Sequence, residues 1–172
     1  SPPGSASGVA SGIKLGAEHT VVFAYQGDAD TLYDVSTLLG AAMRGENITV
    51  ICENNFNMGM SGGALSAATP LGFHTTTSPD GRTSRGYGSP LRIAELLKEI
   101  KGVTYLARGS THSPGAVRKV KNMIKKAFTV QLYGKGMGFV EVLGMCPTNM
   151  NMTPIEAALK VKEIAGDVLL GE

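Results

Sequence analysis

A parallel α/β sheet with helices on both faces is the fold this sequence predicts, and two observations predict it. Short apolar runs rich in β-branched and aromatic residues alternate along the chain with segments of helical periodicity. The strand-like runs are apolar nearly throughout, as in strands covered on both sides.

The elements follow in order. Ser5 to Gly16 is a stretch of small residues to which no element is assigned. His19 to Tyr25 reads as a first strand, stopped by Gly27-Asp28. Asp30 can cap a helix whose apolar positions Leu32, Val35, Leu38, Leu39 and Ala42 recur at helical spacing, and Gly45-Glu46-Asn47 ends it. Ile48 to Cys52 is the second strand, completing a βαβ unit. From Asn54 to Pro90 there is little periodicity and much Gly, Ser, Thr and Asn, a loop long enough to suggest function. Ser89-Pro90 then offers an N-cap and first-turn proline for a helix over Leu91 to Ile100. Val103 to Ala107 is a third strand, a basic helix spans about Ser113 to Phe128, Gly138 to Leu143 is a fourth strand, and Thr153-Pro154 caps a last helix through Ala165.

At 172 residues, 42% of them hydrophobic, the chain can bury one core, and we read residues 1–172 as a single domain. It begins Ser1-Pro2-Pro3-Gly4 with no initiator Met, which reads as a processed or truncated piece. The formal charge is +2, from 16 basic and 14 acidic side chains, so no one-signed field points to nucleic acid or to a membrane surface. No run approaches the roughly 20 apolar residues of a membrane span, and no signal-peptide pattern opens the chain, so the expected compartment is the cytoplasm. Cys52 and Cys146 lie 94 residues apart with no other thiol, too few to build an iron–sulfur or zinc site from this chain alone. Cys52 sits in an apolar run and reads as core packing, while Cys146, before Pro147, is left undecided. The 23 glycines cluster around 27, 59 to 63, 81 to 88 and 134 to 138, about twice the roughly 7% of average usage, and allow close approach to a ligand.

Ligands of open parallel sheets settle outside the carboxyl ends of the strands. Gly27-Asp28-Ala29-Asp30 follows the first strand and Glu53-Asn54-Asn55-Phe56-Asn57 the second, which brings a carboxylate and amide oxygens to one sheet edge. Such donors suit Mg²⁺ or Ca²⁺, and a helix N-terminus beside them favours an anion. From spacing alone an ordinary role is as good: Asp28 and Asp30 cap a helix, and Asn54 and Asn55 make a turn. The cationic side chains Arg118, Lys119, Lys121, Lys125 and Lys126 read as a solvated helix face that could also dock an acidic partner. His74 and His112 read as surface or hydrogen-bonded histidines. Arg108, just past the third strand, reads as a surface ion pair or as a counter-charge for phosphate.

Gly27-Asp28 followed 27 residues after the Asp by Asn55 resembles the metal and diphosphate motif of thiamine-diphosphate enzymes. Val22 to Asp28, Arg44 to Ile51, Met58 to Gly63 and Thr75 to Arg82, then Phe139 to Leu143 and Cys146-Pro147-Thr148-Asn149, together resemble the thiamine-diphosphate-binding β subunit of 2-oxoacid:ferredoxin oxidoreductases, of the 2-ketoisovalerate or pyruvate type. The resemblance covers nearly the whole chain. It implies the thiamine-diphosphate-binding fold, with Asp28, the Asn55 side chain and the Asn57 backbone oxygen on Mg²⁺. It also implies that Gly27, Ala29, Asp30, Gly59, Met60 and Ser61 lie along the cofactor, with Met60 toward substrate unless it simply fills a gap. The activity implied is oxidative decarboxylation of a 2-oxoacid to acyl-coenzyme A with electrons passed to ferredoxin. Partner subunits of the α, γ and δ type would carry the iron–sulfur clusters and the glutamate that activates the cofactor, so no catalytic residue is assigned here. Four stretches depart from the pattern: Ala29 replaces a glycine, Ala64 a glutamine, Asp34-Val35 an Ile-Gly, and Pro3-Gly4-Ser5 a His-Gly-Arg. Ala29 and Ala64 motivate one alternative, a scaffold subunit that has lost the cofactor; another thiamine-diphosphate enzyme, such as a non-oxidative decarboxylase, is a second.

Overall fold

The computed structural model describes residues 2–168 and 171. In chain order the elements are α1 (Ala6–Gly16), β1 (Phe23–Gly27), α2 (Asp28–Tyr33), α3 (Val35–Met43), β2 (Thr49–Asn54), β3 (Asn57–Met58), a 3₁₀ turn at Gly59–Ser61, β4 (Ala64–Leu65), α4 (Ser84–Tyr87), α5 (Ile93–Leu97), β5 (Val103–Ser110), α6 (Pro114–Leu132), β6 (Met137–Leu143), α7 (Pro147–Met150) and α8 (Pro154–Asp167). The main sheet runs β1-β2-β6-β5 with every neighbouring pair parallel, and β3 and β4 form a small antiparallel ribbon beyond it.

Helices cover both faces, as the apolar strand runs require. On one side Ala10 of α1, Leu38, Ala41 and Ala42 of α3, and Ile93 and Leu97 of α5 pack on Ala24, Val50, Cys52 and Phe139. On the other, Val120, Met123 and Ala127 of α6 pack on Ile51, Ala107, Val140 and Val142. A third cluster, Phe56, Phe73, Leu143, Val161 and Ile164, ties α8 and the long loop to the carboxyl end of the sheet. Cys52 is fully buried, so the packing role holds. Among the described residues no helix is long and apolar enough to cross a membrane.

Several elements differ from expectation for local reasons. Ser5 to Gly16 is helical: Ser7, Ala10 and Ser11 form its buried face, and a side chain at Gly8 would come within 2.7 Å of Thr37, so small residues let α1 lie close to α3. The first strand starts at Phe23 and continues to Gly27, because pairing with β2 extends through Gln26↔Cys52 and Gly27↔Glu53. The helix after it is capped by Gly27 and Asp34, not Asp30. Asp34 accepts the Thr37 N–H and restarts the chain as α3. Ser89-Pro90 does not cap a helix, since the Ser89 carbonyl accepts from Arg82 and α5 begins only at Ile93. At α6 and α8 the caps are as read: Ser113 accepts the Ala116 N–H, and Thr153 forms a capping box with Glu156.

Arg108 is neither exposed nor free to meet a phosphate. It lies inside β5, 5% exposed, and donates to Glu141 on β6 at 2.8 Å and to Glu95 on α5 at 2.8 Å. Burial works against its charge, and the two carboxylates more than offset this, holding its pKa above the ordinary arginine value.

The turn into β5 has no room for a side chain. A Cβ at Gly102 would lie 2.1 Å from the Ala42 carbonyl oxygen and 2.6 Å from the Gly45 Cα, both backbone atoms. Gly102→Ala is therefore expected to cost about 2 kcal/mol by overpacking, read as a lower melting temperature in a thermal unfolding scan.

Candidate functional site

Beyond the carboxyl ends of β1 and β2 the surface opens into a cleft of about 700 Å³, within the range of cofactor pockets. Gly27, Asp28, Ala29 and Asp30 line it from the β1–α2 junction. Asn55, Asn57, Gly59, Met60 and Ser61 line it from the chain after β2, and Cys146, Thr148 and Asn149 from the chain after β6. All nine residues expected along a cofactor thus share one cavity.

Asp28 opens α2 and is 1% exposed. Burial pushes its carboxyl up to about 7; the Ser66 hydroxyl draws it back, nearby Glu53 adds to the rise, and the Ala29 and Asn55 backbone N–H groups again lower it. The carboxylate is therefore costly to keep charged without a cation. Glu53, half-buried on the same cleft, is also raised by burial.

The turn after β2 is held in an unusual shape. Phe56 has φ +68°, a left-handed conformation that costs a bulky residue roughly 1–2 kcal/mol. Its surroundings offset this. The ring is 2% exposed and packs on Phe73 at 6.0 Å between centroids, its N–H donates to Asn54 Oδ1 at 3.1 Å, and its carbonyl accepts the Thr69 hydroxyl at 2.6 Å. Strained backbone of this kind concentrates at functional sites.

Because of that turn, the Asn55 side-chain oxygen, which accepts the Asn57 N–H at 3.3 Å, also sits where an amide nitrogen would be 3.3 Å from Asp28 Oδ1 and 2.7 Å from the Asn57 carbonyl. Turned over, the amide would donate to both. With oxygen in place, a carboxylate, an amide and a backbone carbonyl converge on one point, the kind of set that holds a hard divalent cation. Among the described residues no group of three His, Cys, Asp or Glu side chains could hold a metal, so the amide and carbonyl oxygens are needed to complete the set.

Beside this set the chain turns back through Gly62 and Gly63, at φ +72° and +75°, conformations that disfavour any other residue. A Cβ on Gly63 would lie 3.0 Å from the Asn149 side chain, whose Nδ2 donates to the Gly59 carbonyl at 3.1 Å and to Cys146 Sγ at 3.2 Å. Met60 is left fully exposed on the tip of the turn.

Family comparison agrees with this geometry. The description "Thiamine pyrophosphate enzyme, C-terminal TPP binding domain" matches residues 1–142. The chain belongs to the thiamine pyrophosphate enzymes. Within that family it is similar to the ketoisovalerate oxidoreductase subunit VorA of Methanothermobacter marburgensis, with 38% identity over 161 residues, 93% of this chain and 34% of that one. It is 32% identical over 184 residues to the 2-oxoglutarate synthase subunit KorB of Methanothermobacter thermautotrophicus, covering 95% of this chain and 60% of the relative. A solved 2-oxoglutarate:ferredoxin oxidoreductase from Magnetococcus marinus superposes with a TM-score of 0.70 at 20% identity, over 90% of this chain and 48% of that one, so it shares the fold. The chain spans about a third to three fifths of the length of these relatives.

The departures from the thiamine pyrophosphate enzyme pattern cost the backbone little. Ala29 is helical and not among the positive-φ residues, so its place in the chain does not demand glycine. Ala64 pairs with Met58 in the β3–β4 ribbon, Asp34 caps α3, and Pro3 lies on the cleft wall. His74 and His112 are hydrogen-bonded, to the Pro79 carbonyl and the Ser110 hydroxyl. The lysines and Arg118 of α6 are exposed. Sequence reasoning missed Ser66, Thr69, Arg82 and Asn149. The last two stand inside segments that carry the family resemblance, but nothing in their spacing marks a role.

Proposed function

We propose that this chain binds thiamine diphosphate through Mg²⁺ and serves as the cofactor-bearing subunit of a 2-oxoacid:ferredoxin oxidoreductase. One observation carries the metal reading: the Asn55 amide oxygen lies 3.3 Å and 2.7 Å from its two oxygen neighbours. Octahedral Mg²⁺ at roughly 2.1 Å from each ligand sets adjacent oxygens about 3 Å apart. Asp28 Oδ1, Asn55 Oδ1 and the Asn57 carbonyl would be the protein's ligands to the metal. Gly27, Ala29, Asp30, Gly59 and Ser61, which line the cleft, would lie along the diphosphate. Met60, fully exposed, is the side chain offered to the substrate and to a neighbouring subunit.

When bound, the cofactor supplies the nucleophilic carbon and the electron sink that 2-oxoacid decarboxylation needs. This chain holds and orients it. The activating glutamate, the iron–sulfur clusters and the docking of ferredoxin and coenzyme A are assigned to partner subunits, in keeping with two isolated thiols here. The similarity to VorA and KorB supports a 2-oxoacid as substrate class, and the protein would work in the cytoplasm.

Calorimetric titration of thiamine diphosphate into the purified protein with its partner subunits tests the reading. Saturable binding with Mg²⁺ that disappears with EDTA is the expected result. Absence of binding in both conditions would leave the fold as a scaffold without its cofactor.

A further inference from the structure

We propose that Ser66 is a positioning residue of the metal site: its hydroxyl holds the outer oxygen of Asp28 so that the inner one faces the cation. The inference rests on the metal reading above. Ser66 is fully buried 38 residues away from Asp28 in sequence, and its Oγ donates to Asp28 Oδ2. The hydroxyl is the donor because an ionised carboxylate only accepts, and the same Oγ also accepts the Ala68 N–H at 3.0 Å. Asp28 Oδ1 is the oxygen that meets Asn55. Ser66 therefore holds one carboxylate oxygen, and the other is the one beside the Asn55 side chain.

The same short segment also references the second half of the site. The Ser66 N–H donates to Thr69 Oγ1 at 2.9 Å, and Thr69 Oγ1 donates to the Phe56 carbonyl at 2.6 Å. One turn, Ser66 to Thr69, thus touches both Asp28 and the Phe56 carbonyl, one residue before the carbonyl that presents the third oxygen. Arg82, 4% exposed, fixes that turn by donating to the carbonyls of Ser66, Ala67 and Thr69 at 3.1, 3.0 and 2.8 Å. Groups that orient metal ligands in this way typically account for 10–100-fold in metal affinity.

Mn²⁺ binding with thiamine diphosphate present, followed by electron paramagnetic resonance on the protein with its partner subunits, is the test. Ser66→Ala is expected to weaken Mn²⁺ by roughly 10–100-fold, and Ser66→Thr, which keeps the hydroxyl, to recover most of that loss. Wild-type affinity in Ser66→Ala would overturn the role of Ser66 while leaving the metal site standing. No saturable Mn²⁺ binding in the wild type would remove the metal reading and this inference with it. If Ser66→Ala does not fold, Ser66→Cys, close in volume but a weak donor, takes its place with the same two outcomes.

Discussion

Asp28→Ala is expected to eliminate Mg²⁺-dependent binding of thiamine diphosphate, raising the Kd by roughly 100-fold or more, since loss of a ligand exceeds loss of a group that merely orients one. The carboxylate is the only charged member of the oxygen set, so neither Asn55 nor the Asn57 carbonyl can replace its attraction for a divalent ion. Asp28→Asn sharpens the comparison. It keeps an oxygen to accept from Ser66 and preserves shape, yet removes the charge, so it separates packing from electrostatics. Titration of both variants against the wild type reads the effect directly, and an unchanged Kd in both would mean that the three oxygens are not the metal site.

The second large effect is on stability. Arg108→Met is expected to destabilise the fold by about 3–5 kcal/mol, the usual consequence of leaving one partner of a buried ion pair behind. Glu141 is 2% exposed and, among the described residues, would keep only Asn54 Nδ2, at 2.8 Å, as a side-chain partner. Adding Glu141→Leu to Arg108→Met should restore much of the loss, because an apolar pair needs no partner charge. Urea unfolding of the two single variants and the double variant measures this as a coupling energy. The outcome bears on the site as well. Asn54 links Glu141 to the Phe56 N–H through the two ends of one amide, so weakening the ion network loosens the turn beside Asn55. Additive single effects would show that the two side chains do not act as a pair.

Much of the architecture was legible because periodicity and apolar runs report on burial. β2 and β6, covered on both faces, read as nearly continuous apolar stretches and were placed within one or two residues at each end. The miss at Ser5 to Gly16 has the opposite cause. Its buried face is made of serine and alanine, which carry little hydrophobic signal but allow helices to come close. Asp30 looked like a cap because the apolar spacing behind it is continuous, whereas Asp34 interrupts the backbone and starts a second helix. At the site, the residues at strand ends could be read from the chain, since position after a strand is itself information. Ser66, Thr69 and Arg82 could not, because their roles depend on how an aperiodic loop folds back. At Arg108 the ion pair is present but buried instead of on the surface, because its partners Glu95 and Glu141 lie 13 and 33 residues away in sequence and become neighbours only in the folded chain.

Arg82 has a further consequence. Its guanidinium gathers six backbone carbonyls, those of Ser66, Ala67, Thr69, Tyr87, Gly88 and Ser89. A loop wrapped around an internal cation is organised before any ligand arrives. Ordering a flexible segment opposes binding by roughly 1–2 kcal/mol for each residue fixed, and here that entropy is already spent in folding the chain. The turn that contacts Asp28 and the Phe56 carbonyl from behind the cleft is therefore set in place with the fold, and the cleft residues it braces need not be ordered by the ligand.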